Sequence, residues 1–253
     1  MRTTIRICRN CRVPVFAALL LIGAALAAPD YGADAPAAGD ARELFNGKDL
    51  SGWDGDEQVW SVQDGVITGH TTAEHPIKHN TFLIWKGGTL GDFELHAMFK
   101  ITGGNSGIQY RSKDLGDHIV SGYQADIVDG DPDKYSGILY EERGRGILAE
   151  RGQKIAIDEA GKKNAVGSLG DSAAIAKAVK KGDWNEYVIT ARGNHIAQTI
   201  NGTPTIELTD DQAAKAAREG ILALQVHMGP PMTVQFKEIR LRELKGESKP
   251  PAP

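Results

Sequence analysis

Polar side chains recur at alternate positions along several segments of this chain: Gln109 and Arg111, Gln124 and Asp126, then Glu141, then Gln225 and His227. In an extended backbone, residues two apart project from the same face. Strands lying side by side in one sheet would therefore gather these groups on a shared surface. With Tyr110, Tyr123 and Tyr140 nearby, such a surface offers amides, carboxylates, an imidazole, a guanidinium and aromatic rings. That combination suits a sugar, whose hydroxyls need paired donors and acceptors. The same alternation also describes the solvated outer face that any β-sandwich presents, and alternation alone leaves both readings open.

A second cluster, Asp126, Asp129, Asp131 and Asp133, places oxygen ligands around Gly130 and could hold a divalent cation such as Ca²⁺. No Glu completes a twelve-residue EF-hand loop, and an Asp/Gly/Pro turn is the competing reading. His75 and His79 are four apart, but Pro76 makes the segment a loop, so they are not a zinc pair. His118 and His195 are expected at the surface. The chain has no G-x-S-x-G, no P-loop and no G-x-G-x-x-G between a strand and a helix, so nothing supports serine hydrolase, nucleotide or dinucleotide chemistry.

The elements that must position these groups are mainly strands. Phe93, Leu95, Ala97, Phe99 and Ile101 alternate with polar or long residues, the pattern of a strand with one face in a core. Similar patterns cover Ile108 to Arg111, Gly122 to Val128, Trp184 to Arg192, His195 to Ile200, Ile221 to Met228 and Thr233 to Leu241. Gly193-Asn194 and Asn201-Gly202 are hairpin signals. Two short helices are expected, one over Ser172 to Lys181 and one from a capping box at Thr209-Asp-Asp-Gln212 to a glycine stop at Gly220. The Gly-rich, charged stretch Glu141 to Gly170 reads as a long loop. Many strands with incidental helices indicate an all-β, two-sheet sandwich or jelly roll in one domain.

Arg2, Arg6, Arg9 and Arg12 precede the apolar run Val13 to Ala27, which ends in Ala-Leu-Ala. Residues 1–28 thus read as a secretory signal peptide, with an uncleaved membrane anchor as the alternative; the run is shorter than the roughly 20 residues of a spanning helix. Cys8 and Cys11 both lie in this leader, so no disulfide is expected in the mature chain. The leader takes four of the 29 basic residues and none of the 33 acidic ones, leaving 25 against 33, a formal charge of −8. That balance argues against nucleic acid and anionic membranes as partners. Residues 29–41 read as a flexible linker, 42–244 as the folded domain and 245–253 as a disordered tail. Location is expected to be periplasmic or secreted, and oligomeric state is not legible.

Several ordered motifs resemble one family. Glu43-Leu-Phe-Asn-Gly-Lys-Asp-Leu-Ser-Gly-Trp53 and Trp60-Ser-Val-Gln-Asp-Gly-Val-Ile67 are similar to the opening of the domain of unknown function 1080 family, also called the 3-keto-disaccharide hydrolase domain. The resemblance continues through Gly91-Asp-Phe-Glu-Leu95, Gly104-Asn-Ser-Gly-Ile108 with Arg111, Gly122-Tyr-Gln-Ala-Asp126, Gly137-Ile-Leu-Tyr140, Gly182-Asp-Trp-Asn185, Asn201-Gly202 and Gly220-Ile-Leu-Ala-Leu-Gln225. It implies a concanavalin A-like jelly roll acting on glycosides oxidised to a ketone at C3. The ketone acidifies the C2 proton, so a base and an acid together can break the glycosidic bond by elimination, followed by hydration.

On that resemblance, His227 or Asp126 is expected as base, Glu141 as acid and Arg111 as the cation facing the enolate oxygen. Gln109, Gln124, Tyr140 and Gln225 would bind the sugar, and Asn105 is either a further ligand or a turn residue. Many relatives carry Glu where this chain has Gln124, and an amide cannot abstract a proton. A non-catalytic carbohydrate-binding module on the same sandwich is the alternative function. A laminarinase-type hydrolase is disfavoured, because no strand carries Glu-x-Asp-x-x-Glu.

Overall fold

The computed structural model describes residues 41–130 and 134–244. The expected leader and tail, and the expected linker up to residue 40, lie outside these residues, as do Asp131 and Asp133. In chain order the strands are β1 (Arg42–Glu43), β2 (Trp53–Asp54), β3 (Trp60–Gln63), β4 (Val66–Thr71), β5 (Thr81–Trp85), β6 (Phe93–Thr102), β7 (Asn105–Asp114), β8 (Val120–Val128) and β9 (Leu139–Glu142). They continue with β10 (Gly146–Ala149), β11 (Gln153–Ile157), β12 (Lys163–Ser168), β13 (Asn185–Arg192), β14 (His195–Ile200), β15 (Thr203–Asp210), β16 (Ile221–Val226) and β17 (Met232–Glu243). One helix, α1 (Ser172–Ala176), interrupts them.

The strands form a two-sheet jelly-roll sandwich, the fold expected from the sequence. The larger sheet runs β12-β11-β15-β14-β13-β6-β17-β4-β3, with β1 added beside β17. The smaller runs β10-β9-β8-β7-β16-β5-β2. Strict alternation fills the space between them. In β6, Phe93, Leu95, Ala97, Phe99 and Ile101 are buried while their neighbours are half-buried. Ile108, Tyr123, Ala125, Ile127, Leu222, Leu224 and Val226 join the same core from the smaller sheet. Asn201 (φ 50°) and Gly202 (φ 74°) make a two-residue turn with both residues left-handed, the geometry that suits strand twist, and β14 and β15 pair directly across it.

Two expected elements are absent. The stretch from Glu141 to Gly170 is not a long loop: it contains the end of β9 and all of β10, β11 and β12. Its organiser is Arg145. The guanidinium grips Glu141 in two places (Nε to Oε2 2.7 Å, Nη2 to Oε1 2.9 Å) and Asp210 of the opposite sheet in two more (2.7 and 3.1 Å). The Tyr123 hydroxyl also donates to Asp210, at 2.5 Å. This network likewise removes the helix expected over 209–220. Thr209 and Asp210 remain in β15, paired with β14 and β11, and Gln212 accepts from Arg145 at 3.1 Å instead of closing a capping box. The other expected helix forms only over Ser172–Ala176, capped by Asp171, whose carboxylate accepts from Ala174 N at 2.8 Å.

A β-bulge in β7 shapes the smaller sheet. Tyr110 pairs with Tyr123 and Lys113 with Ser121, so Arg111 and Ser112 face Gly122 alone. Arg111 adopts φ 46°, and the extra residue bends the strand. Both flanking positions are glycine because nothing else fits: a Cβ would lie 2.7 Å from Ser112 Cα at Gly122, and 2.3 Å from Arg111 C at Gly220. Beyond the bulge the β7–β8 hairpin tip folds over the outer face of its own sheet. His118 O accepts from Phe82 N at 3.0 Å, and Val120 packs with Phe82, Ile84 and Ala223 in a second small core.

The Arg145 side chain is only 9% exposed, so removing it leaves two carboxylates with little access to water. Arg145→Met should therefore cost about 3–5 kcal/mol, read from urea unfolding monitored by tryptophan fluorescence.

Candidate functional site

The outer face of the smaller sheet gathers most of the residues singled out by alternation. Gln109 pairs with Gln124, and Gln124 with Tyr140, so their side chains share a face. Ala223 pairs with Gln109, placing Gln225 on that face too. His227 lies one step past β16, tied by its N–H to Asn105 O at 3.3 Å. Asp126 faces Gly107. A Cβ at Gly107 would lie 2.5 Å from Gln124 Cγ, so its absence lets the Gln124 side chain lie across β7.

Two of the expected catalytic residues are not on this face. Arg111 is turned inward by the bulge and is 1% exposed. Its donors go to Gly91 O at 2.8 Å, Gly193 O at 2.7 Å and Asp92 Oδ1 at 2.9 Å, so it clamps one sheet to the other. Glu141 pairs with Tyr123, which points into the core, and Arg145 occupies both of its oxygens. The carboxylate that does reach the face is Glu142, paired with Gly122. The alternation already contained this answer: if Tyr140 faces outward, so must Glu142 and not Glu141.

Glu142 sits among Asn80 Nδ2 and Gln225 Nε2, each 3.4 Å from one of its oxygens. Burial raises its pKa, against the opposing pull of the Asn80 hydrogen bond, of the His227 and Arg143 charges and of the Gln225 hydrogen bond. Asn80 also accepts from Met228 N at 3.0 Å, so it links the carboxyl to the segment that carries His227. Sequence reading missed Asn80 because it lies in an irregular loop. The pKa of Tyr140 is likewise raised, by burial first and then by Glu142 and Asp126. His227 Nδ1 lies 2.5 Å from Met228 O. A carbonyl can only accept, so Nδ1 carries the proton in the neutral ring and Nε2 presents its lone pair.

The floor between these groups is a chain of amides. Ser112 Oγ donates to Gln109 Oε1 (2.8 Å), Gln109 Nε2 to Gln124 Oε1 (2.7 Å), and Gln124 Nε2 to Asp126 Oδ1 (2.5 Å). Asn105 Nδ2 approaches the other Asp126 oxygen at 3.4 Å. The opposite Gln109 orientation would donate to Tyr123 O and Gly122 O. It would also require Gln124 to turn its carbonyl onto Asp126, which only a protonated Asp126 tolerates. Gln225 is fully buried, yet its Oε1 meets no hydrogen-bond donor among the described residues. Such an acceptor is costly to leave unmet.

Of the aspartate cluster, Asp126 lies on this face and Asp131 and Asp133 fall outside the described residues. Asp129 turns away to accept from Gly103 N at 2.8 Å and so holds the β6–β7 turn. Among the described residues, no three His, Cys, Asp or Glu side chains are grouped to hold a metal ion. His75 and His79 are exposed in a loop, as expected. His118 and His195 are half-buried rather than free surface residues, near Asp54 (3.3 Å) and Glu207 (3.9 Å) respectively.

Two sheets with a polar, partly titratable outer face on the smaller one define a concanavalin A-like jelly-roll sandwich. The sequence signature of the 3-keto-alpha-glucoside-1,2-lyase-like domain matches residues 40–242, and the chain belongs to that family. Among solved structures it is similar to a candidate glycosyl hydrolase from Parabacteroides distasonis, at 23% identity over 81% of this chain and 99% of that one, with TM-score 0.53. It also resembles the carbohydrate-binding module CBM66 from Bacillus subtilis, at 13% identity over 76% and 95% of the two chains, with TM-score 0.51. A search of curated proteins found no match.

The raised pKa of Glu142 has a sign that stability measurements can read. Between the unfolded and folded pKa values the native state holds more protons than the unfolded one, so stability falls as pH rises through that window. Urea unfolding across the weakly acidic range should show this decline in the wild type. Glu142→Gln should flatten it.

Proposed function

We propose that the chain is a carbohydrate-active enzyme that cleaves 3-keto-glycosides by elimination and hydration on the outer face of its smaller sheet. The observation that carries this reading is the pairing of Glu142, whose pKa is raised, with His227, whose Nε2 is free to accept, beside a buried Gln225 acceptor. Family membership supports a 3-keto-glycoside as the substrate class. The basic and apolar leader supports action in the periplasm or outside the cell.

In this reading, His227 Nε2 removes the proton from C2, which the neighbouring ketone has acidified. The electron pair passes through the enolate to form a C1–C2 double bond as the C1–O bond breaks. Glu142, whose pKa burial raises, gives a proton to the departing oxygen when in its neutral form. Water then adds across the double bond, its hydroxyl to C1 and its proton to C2, so the sum is hydrolysis. With Arg111 turned inward, the enolate oxygen would meet amide N–H groups such as those of Asn105 and Gln225. Asp126, engaged by two amides, orients the floor rather than acting as base.

The test is to incubate the protein with a 3-keto-disaccharide and with its unoxidised parent, with and without EDTA, and to follow sugar release in D₂O. Cleavage of the keto form alone, with deuterium at C2 of the product, is expected. Glu142→Gln and His227→Ala should each lower kcat by about 10²–10⁴-fold with KM within a few-fold. Binding of both sugars without cleavage would replace this reading with a non-catalytic carbohydrate-binding module.

A further inference from the structure

Four large apolar side chains stand exposed among the described residues: Leu115, Tyr135, Val166 and Met228. Two of them, Tyr135 at 45% and Met228 at 47%, line one open cavity of about 340 Å³. The same cavity is bounded by Asn105, His227 and Pro230, and so continues directly from the catalytic face. Its volume matches the lower range of small-molecule sites. An exposed apolar pair gathered at a site marks a contact surface more often than scattered apolar residues do. Among the described residues, no Lys, Arg, Asp or Glu lines it.

We propose that this cavity is the leaving-group subsite, which takes the aglycone half of the substrate as an uncharged ring with an apolar face, stacked on Tyr135 and packed against Met228. The inference rests on the reading of His227 and Glu142 as base and acid. Those two must flank the scissile bond, so the oxidised ring lies over the buried amides and its partner extends past one of them. Towards Phe82 and Ile84 the face is closed by Val120 from the hairpin tip. Past His227 it opens into this cavity. A tyrosine ring offers a flat apolar face and a polar edge, while methionine adapts its shape to whatever packs on it. Such a surface distinguishes a ring from a small alkyl group without reading individual hydroxyls.

The test compares Tyr135→Ala and Met228→Ala with wild type on three 3-keto-glucosides, whose leaving groups are a second hexose, a phenol and methanol. Tyr135→Ala should lower kcat/KM for both ring leaving groups by roughly 10–100-fold and leave the methyl glycoside within about two-fold. A smaller loss in the same direction is expected for Met228→Ala. Equal losses on all three substrates, or none, would overturn the subsite while leaving the proposed reaction intact. Loss on only one ring class would identify the aglycone as sugar or aryl. A second readout does not depend on turnover: saturation-transfer NMR with the unoxidised disaccharide and with phenyl glucoside. The protons of the leaving half should receive saturation from the wild type and lose it in Tyr135→Ala. If no substrate is cleaved, the reaction reading fails, and unchanged saturation in the variant would then sink the subsite as well.

Discussion

One inserted residue in β7 governs both the interior and the exterior of the smaller sheet. Without the bulge at Arg111 and Ser112, period-two alternation would carry Arg111 to the outer face beside Gln109. With it, the guanidinium turns inward and reaches Gly91, Asp92 and Gly193 near the rim of the larger sheet. The strand bends, and its hairpin tip comes to rest on β5. The bulge exists only because its neighbours have no side chains, since Gly122 and Gly220 leave the space that Arg111 and Ser112 fill. Three of the motifs by which the family is recognised, those around Arg111, Gly122 and Gly220, are thus one structural device.

The sandwich has no cysteine in its described residues to tie the sheets together, and it uses buried polar groups instead. Arg111 clamps one region, and Arg145 with Glu141, Tyr123 and Asp210 clamps another. Between them Gln198 Nε2 donates to Tyr110 OH across the core at 2.8 Å, and its Oε1 accepts from Tyr187 OH at 3.3 Å. Apolar residues of equal volume could serve stability as well, because burying charge costs much of what pairing returns. What the polar groups add is directionality: a one-residue slip of β15 past its neighbours would remove Asp210 from Arg145 and leave buried charge unmatched.

Much of this was legible in the sequence, because alternation is a geometric consequence of the extended chain. It located the core face of β6, the pairing of β13 with β14, and the shared face of Gln109, Gln124, Asp126 and Gln225. The failures have local causes. Arg111 was misplaced because a bulge reverses alternation, and its only sequence trace is glycine on the two adjacent strands. Glu141 was preferred to Glu142 by reading a strand position without its neighbour Tyr140. The helix expected over 209–220 lost to tertiary pairing, since Asp210 is worth more on Arg145 than as part of a cap. β10 to β12 were hidden because they are short and the turns between them, 150–152 and 158–162, are rich in Gly and charge, and β12 remains largely exposed.

The direction of the amide chain narrows which groups can exchange protons. With Asp126 ionised the Gln124 amide can only donate to it, whereas a protonated Asp126 also admits the opposite orientation, in which Gln109 donates to Tyr123 O and Gly122 O. A base must gain a proton on each turnover, and at Asp126 that proton would compete with the donors of Gln124 and Asn105 that already meet its two oxygens. Glu142 and His227 face no such penalty. Glu142 is held by two long amide contacts, and His227 is fixed at Nδ1 with Nε2 unencumbered. Two carboxylates that look alike in the sequence thus stand in different surroundings, Asp126 met by two amides of the floor and Glu142 at its edge with a pKa that burial raises.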